Sequence, residues 1–283
     1  MGNMLKNHLL SFVKMHALGN DFIVIDFRDS SFILTPTLRE NITNRRLGIG
    51  ADQLITLHKP LAEGADVAIE VTNSDGSVSG AWGNGTRCVA NLIFREKGKK
   101  SATIETLSGL YKTKIIGGEV ALRFDNPMFD WDKIPLTEEV NTLEAPIDLG
   151  PLKHPTILSL STPHMIFFTT KVDHIPLDYL GSHLEHHPFF AKRTNVEIVE
   201  CYNENKLRVR VWERGAGITP GCGSGASAAA LAAIRRGFCK EGTEIECVLD
   251  GGTLTVIYEN NVLWLKGGVT TVFTGVVDLG VWS

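Results

Sequence analysis

The chain repeats itself once, and that duplication constrains its fold more than any single motif. The segment WGNGTRCVANLIFREKG (82–98) lines up with CGSGASAAALAAIRRGF (222–238), an offset of 222 − 82 = 140. Upstream, VAIEVTNSDG (67–76) matches VRVWERGAG (209–217), with Asn73 falling on Glu213 because 213 − 73 = 140. Downstream, TIETLSGLYKTKI and EIECVLDGGTLTVI follow at nearly the same offset. Two copies of one pattern must form the same supersecondary unit twice. Each copy reads as strand, glycine-rich loop, helix and β-meander, which predicts two similar lobes facing each other across a cleft, a common place for a ligand.

Strand-like runs dominate. They fall at 22–27, 66–72, 102–106, 110–116, 119–124, 157–169, 195–201, 206–212, 243–249, 253–258 and 261–266, many of them rich in β-branched residues and bounded by Gly or Asn. Helical patterns occupy 37–46 after Thr35-Pro36, 84–97, 176–186 and 223–236. The last, GSGASAAALAAIRR, is small or apolar almost all round and reads as a helix buried on every side. The polar, proline-containing stretch 127–150 reads as the linker. The expected lobes are therefore 1–128 and 129–269, with 270–283 returning to the first lobe as a strand.

A chain of 283 residues can bury a core without staples of any kind. Its formal charge of −4 argues against a nucleic-acid footprint, and no apolar run is long enough to span a bilayer. A small molecule is the expected partner and the cytoplasm the expected compartment, since the first residues read as a ragged terminus without a cleavage site. Cys88, Cys201, Cys222, Cys239 and Cys247 are odd in number and scattered without a C-x-x-C pair. That pattern fits neither a disulfide framework nor a structural zinc site, so no metal is expected and any cysteine chemistry is thiol chemistry.

The two glycine-rich loops end at helix starts, where free N–H groups and the positive end of the helix dipole favour an anion such as a carboxylate. Glycines in either loop also serve a tight strand-to-helix turn; it is their pairing that points to function. Cys222 stands at such a start, a position expected to lower a thiol's pKa. The other four cysteines lie inside helical or strand patterns and read as small core residues. A dinucleotide fingerprint lacks its following acid, and neither a P-loop nor a G-x-S-x-G elbow occurs.

Several blocks then resemble one family in order and from end to end. They are Gly19-Asn20-Asp21-Phe22, Arg45-Arg46-Leu47-Gly48-Ile49-Gly50-Ala51-Asp52-Gln53, Asn73-Ser74-Asp75-Gly76-Ser77, Pro163-His164, Thr194-Asn195-Val196, and Glu213-Arg214-Gly215-Ala216-Gly217 leading to Cys222-Gly223-Ser224-Gly225. The chain resembles diaminopimelate epimerase. The resemblance implies an α+β fold of two pseudo-symmetric lobes, each a strand-rich sheet or barrel wrapped around a central helix. It also implies a homodimer, and an isomerase of lysine and peptidoglycan-precursor biosynthesis that needs no cofactor and no PLP. Its substrate would be LL- or meso-2,6-diaminopimelate, epimerised between two cysteines, one taking the α-proton and the other returning a proton to the opposite face.

Carried onto this sequence, Cys222 is one acid–base cysteine, with His164 and Glu213 as polar neighbours. Asn20, Gln53, Asn73, Asn195, Glu213 and Arg214 hold the substrate, and its α-carboxylate rests on Gly83-Asn84 and Gly223-Ser224. The pattern breaks at two places. Trp82 stands where the family has its first catalytic cysteine, and an indole offers no proton transfer near neutral pH. Ser161-Thr162 replaces Gly-Asn before Pro163-His164, so a hydroxyl at Thr162 stands in for a substrate-binding amide. The expectation is an epimerase impaired as the chain stands. The alternatives are a one-base isomerase of another amino acid working through Cys222, or a non-catalytic ligand-binding homologue.

Overall fold

The computed structural model describes residues 9–79 and 83–282, which fall into two compact units: 9–122 together with 268–282, and 123–267. Gly80, Ala81 and Trp82 lie outside the described residues.

In the first unit the strands are β1 (Leu9–Ala17), β2 (Asn20–Asp26), β3 (Gln53–His58), β4 (Val67–Asn73), β5 (Ser101–Thr106), β6 (Gly109–Ile116) and β7 (Glu119–Phe124). Helix α1 (Pro36–Thr43) connects β2 to β3, and α2 (Gly83–Lys97) connects β4 to β5. Both connected pairs are parallel and all others antiparallel, as expected where a helix must carry the chain back to the starting end. The chain's last strand, Thr270–Asp278, pairs antiparallel with β1 from Leu9↔Asp278 to His16↔Thr270 and closes this unit's sheet order.

The second unit repeats the scheme. After the short hairpin β8 (Asp148–Leu149) and β9 (Leu152–Lys153) come β10 (Thr156–Ser159), β11 (Pro163–Phe168), α3 (Leu177–Glu185), β12 (Asn195–Asn203) and β13 (Lys206–Glu213). The short β14 (Gly217–Thr219), α4 (Gly223–Arg235), β15 (Glu244–Leu249), β16 (Gly252–Glu259) and β17 (Val262–Gly267) complete it. Here β11 runs parallel to β12 and β13 to β15, with antiparallel pairs between and beyond. The pairing order β2-β3-β4-β5-β6-β7 thus recurs as β11-β12-β13-β15-β16-β17.

Each unit closes around its second helix. α2 sends Cys88, Val89, Ala90, Ile93 and Phe94 into a core with Phe22, Val24, Ile55, Val67 and Val71. α4 touches β10, β11, β12, β13, β15, β16 and β17, and every residue from Gly225 to Ala233 is buried. Only small side chains let strands approach a helix from all sides at packed density, which is why the alanine run belongs there.

The structure departs from the sequence reading in three places. The run 157–169 is two strands, because the chain turns at Leu160–Thr162 with Ser161 at φ 71°. The stretch 127–150 is packed and not a loose linker: Ile134, Leu136, Ala145 and Ile147 are buried in one cluster with Met165, Phe167, Leu180 and Ile198. β1 and β3 were not among the expected strands. In β3 the four central residues, Leu54 to Leu57, are all buried, so it shows no alternation.

The Arg45–Gln53 block earns its composition from local geometry. After α1 the chain folds back on the helix end, with Gly48 N–H donating to Asn44 O and the N–H groups of Ile49 and Gly50 donating to Ile42 O. A Cβ on Gly48 would lie 1.9 Å from Asn41 O, so only glycine fits. The turn delivers Arg45 to Asp21 and Asp52, at 2.7 and 2.8 Å. Lys14 Nζ donates to Asp21 at 2.7 Å and to Gly50 O. The Asp52 N–H donates to Asp21 and the Asp21 N–H to Asp52, which fixes the starts of β2 and β3 side by side.

Burial pushes the Asp21 carboxyl up, but the bonds from Arg45, Lys14 and the Asp52 N–H outweigh it and hold Asp21 well below the usual carboxylate range. A carboxyl with a depressed folded-state pKa contributes stability that is complete above its unfolded value, near 3.9, and drains away as pH falls below it. Urea unfolding between pH 7 and pH 3 should show stability falling mainly below about pH 4. Asp21→Asn should cost about 3 kcal/mol at pH 7, as expected when one member of a largely buried ion pair is removed, and should flatten that acid slope. An unchanged slope in Asp21→Asn would show that this network does not carry the acid sensitivity.

Candidate active site

In each unit the residues singled out from the sequence gather at one end of the sheet. β2 and β3 begin at Asn20 and Gln53, β4 ends at Asn73, and the register pairs Phe22 with Gln53 and Gln53 with Asn73. In the second unit β11 and β12 begin at Pro163 and Asn195, β13 ends at Glu213, and His164 pairs with Asn195. The chain leaves β4 and β13 at these ends to enter α2 and α4. The sheet scheme therefore gives Gln53 and Asn195 equivalent places, and likewise Asn73 and Glu213.

In the first unit, Gln53 Nε2 donates to Asn73 Oδ1 at 3.0 Å and to Ser79 Oγ at 2.8 Å, and Asn73 Nδ2 donates to Ser77 Oγ at 3.0 Å. Asn20 Nδ2 donates to Asp52 at 3.1 Å. All three amides are held yet only half-buried. Gly83 and Asn84 form the half-buried start of α2, where Asn84 Oδ1 accepts from the fully buried Arg87 at 2.8 Å. An open polar cavity of about 660 Å³ beside Arg45, Arg46, Asp52 and Asp75 borders this cluster without including the three amides.

In the second unit, Cys222 is the N-cap of α4. Its Sγ accepts from the Gly225 N–H at 3.4 Å and lies 3.4 Å from Ser224 Oγ. Gly223 and Ser224 begin the helix, and first-turn N–H groups find no carbonyl within their own helix. His164 is fully buried, with Nδ1 2.7 Å from Glu197 Oε1 and Nε2 3.3 Å from Thr162 Oγ1. Asn195 Nδ2 donates to that hydroxyl at 3.4 Å, and Asn195 Oδ1 accepts from the Arg214 N–H at 2.7 Å. Glu213 accepts from the Thr219 hydroxyl, and Arg214 reaches the Lys192 carbonyl at 3.1 Å. The structure thus brings Thr162, His164, Asn195 and Arg214 into one hydrogen-bonded chain.

The electrostatics reverse one expectation. A cysteine at a helix start was expected to ionise easily, but burial pushes the Cys222 thiol well up, the carboxylates of Glu213 and Glu197 push it further, and the bonds from Ser224 and Gly225 offset only part. Cys222 is 5% exposed, so desolvation of a thiolate dominates the dipole. This arrangement favours the neutral thiol over the thiolate.

Glu197 was missed by sequence reading. It is fully buried, its Oε2 has no partner, and a Cβ on Gly225 would sit 3.0 Å from its Oε1. One acid in the apolar run NVEIV was the available signal, because a charged residue in a strand buried on both faces needs a reason. Burial raises its pKa, partly countered by His164. At Ser161 the family's glycine suits the φ of 71°, and this chain holds a serine there. Trp82 lies outside the described residues. Among the described residues no group of His, Cys, Asp and Glu side chains could hold a metal.

The diaminopimelate epimerase family profile matches residues 12–125 and 156–275. A diaminopimelate epimerase from Rhodospirillum centenum is 41% identical over 267 residues, covering 93% of this chain and 91% of its own. Another from Sphingopyxis alaskensis is 41% identical over 268 residues, covering 94% and 97%. Among solved structures, a hydroxyproline epimerase from Agrobacterium vitis superposes with a TM-score of 0.65 at 15% identity, covering 98% of this chain and 94% of that one. A phenazine biosynthesis PhzF-family protein from Enterococcus faecalis does so with a TM-score of 0.64 at 14% identity, covering 95% and 99%. The structural likeness shows a shared epimerase and PhzF-type fold, and the matched profile and 41% identity place this chain in the diaminopimelate epimerase family.

Proposed function

We propose that this chain is a cofactor-independent isomerase that interconverts LL- and meso-2,6-diaminopimelate, supplying lysine and peptidoglycan precursors, and that it works poorly as it stands because of Trp82. The observation that carries this reading is the buried Cys222 thiol at the start of α4, beside the Glu213, His164 and Glu197 cluster.

Epimerisation breaks the Cα–H bond towards one face and forms a new one from the other. A base takes the proton, the electron pair stays on Cα as a carbanion conjugated with the carboxylate, and an acid then returns a proton. Cys222, held as a thiol, supplies the returning proton and becomes a thiolate; in the reverse direction that thiolate is the base. First-turn N–H groups at Gly223 and Ser224 are suited to the α-carboxylate and the charge that develops on it, and the start of α2 at Gly83 and Asn84 repeats that chemistry. Asn20, Gln53, Asn73, Asn195, Glu213 and Arg214 provide the amides and charges that a second amino-acid end requires. Thr162 gives that end a hydroxyl in place of an amide. The partner base falls by resemblance at residue 82, and an indole cannot serve as one.

The five cysteines are free thiols, which fits a reducing cytoplasm. The outer edge of the strand Thr270–Asp278 has no neighbouring strand among the described residues and exposes Val272, Phe273 and Val276. Such an edge favours pairing with another strand, and a second copy of this chain is the occupant proposed here.

Three outcomes are expected. In D2O, proton NMR should show slow or no α-proton exchange of LL-diaminopimelate by this chain and strong acceleration by Trp82→Cys, at least 100-fold. Turnover by the unaltered chain at an ordinary 1–1000 per second would refute the impairment, and exchange without inversion would favour one-base chemistry at Cys222. Iodoacetamide at pH 7.5 should modify all five native thiols slowly. The half-exposed Cys201, its pKa pushed up to about 11 by burial, should react before Cys222; rapid alkylation of Cys222 would mean a thiolate. Light scattering should give a dimer that Val276→Lys weakens at least tenfold, and a monomeric unaltered chain would end that proposal.

A further inference from the structure

We infer that Glu185, at the end of α3, is a positioning residue that holds the substrate-facing loop of the second unit in shape. The inference rests on the epimerase reading for its functional consequence and on geometry alone for the clamp.

Glu185 is 3% exposed, and both of its carboxylate oxygens are occupied by N–H donors from elsewhere in the chain. Oε2 accepts from Trp212 Nε1 at 2.7 Å, and Oε1 accepts from the Gly215 N–H at 3.1 Å and from Arg193 at 3.3 Å. The Glu185 carbonyl also accepts from the Thr194 N–H at 3.2 Å. Three of the four anchored residues adjoin a residue of the proposed site: Thr194 precedes Asn195, Trp212 precedes Glu213, and Gly215 follows Arg214. The Arg214 N–H to Asn195 Oδ1 bond, at 2.7 Å, then ties the two anchored segments together. Glu185 therefore ties these segments together, its carboxylate holding Trp212 and Gly215 beside Glu213 and Arg214 and its own carbonyl holding Thr194 beside Asn195.

The indole is fixed from its other side as well. Gly181, one turn earlier on α3, approaches it so closely that a Cβ would lie 2.5 Å from the ring. Trp212 thus packs flat on the helix, and its Nε1–H points at the carboxylate four residues along. Burial raises the Glu185 pKa, but the donors around it outweigh burial and keep it below the ordinary range, in keeping with an anion that only accepts. Glutamine at this position would keep the shape and turn one oxygen into an NH2 facing either the Trp212 or the Gly215 and Arg193 donors, so donor would meet donor.

The test compares the unaltered chain with Glu185→Gln, Trp212→Phe and the double variant, each checked for folding by circular dichroism. Two readouts are followed: hydrogen exchange at the Gly215 amide, and calorimetric binding of meso-diaminopimelate. Glu185→Gln should speed Gly215 exchange at least tenfold and weaken binding at least tenfold. Adding Trp212→Phe should restore part of both, because the amide NH2 then no longer faces a donor. If Glu185→Gln does not fold, Trp212→Phe alone should still speed Gly215 exchange and weaken binding, each by three- to tenfold. Unchanged Gly215 exchange, or faster exchange with unchanged binding, overturns the inference. Failure of the unaltered chain to bind diaminopimelate counts against the epimerase reading instead, and the clamp is then decided by Gly215 exchange and the double-variant rescue.

Discussion

A helix without a solvent face has nowhere to hide the N–H groups of its first turn, and the second unit depends on how that is resolved. α4 is enclosed by seven strands and made almost entirely of glycine, alanine and serine in its first ten residues. Burial of that kind needs small side chains, and it leaves the N–H groups of the first turn without carbonyl partners in their own helix. One first-turn donor, the Gly225 N–H, is taken by the Cys222 thiol. The packing demand and the chemistry meet at the same turn.

Duplication extends that solution. Parallel neighbours at β2–β3 and β11–β12 bring two strand starts together beside one strand end, so three residues far apart in sequence face the same way. The two units then specialised within one lattice. The first places amides there, at Asn20, Gln53 and Asn73; the second places an imidazole, an amide and a carboxylate, at His164, Asn195 and Glu213. Each set is braced by acids, Asp21 and Asp52 in one, Glu185 and Glu197 in the other. These fix backbone and side-chain directions by accepting N–H bonds.

Much of this was legible from residues alone. The buried α4 followed from its composition and the two-lobed scheme from the offset of 140. Three things were not. The split between β10 and β11 depends on Ser161 adopting a left-handed backbone, which serine does not announce. The state of Cys222 depends on the depth of burial and on two carboxylates brought from β12 and β13, contacts that sequence spacing cannot supply. Glu185 looks like one more acid among histidines in HLEHH, and its bonds appear only when two separate segments, around Arg193 and around Trp212 to Gly215, converge on it.

The first unit is discontinuous: its outermost strand, Thr270–Asp278, follows the second unit in sequence and pairs with β1, which precedes it. On a ribosome this inverts the usual order in which domains mature from the N-terminus. Residues 123–267 form an uninterrupted unit and are available to complete their sheet while the earlier half still lacks an edge. β1, with Phe12 and Met15 in its core-facing positions, must wait for its partner until the whole of the second unit has been made. The duplicated halves are thus alike in plan but unequal in time, and the half that carries Cys222 is the one ready first.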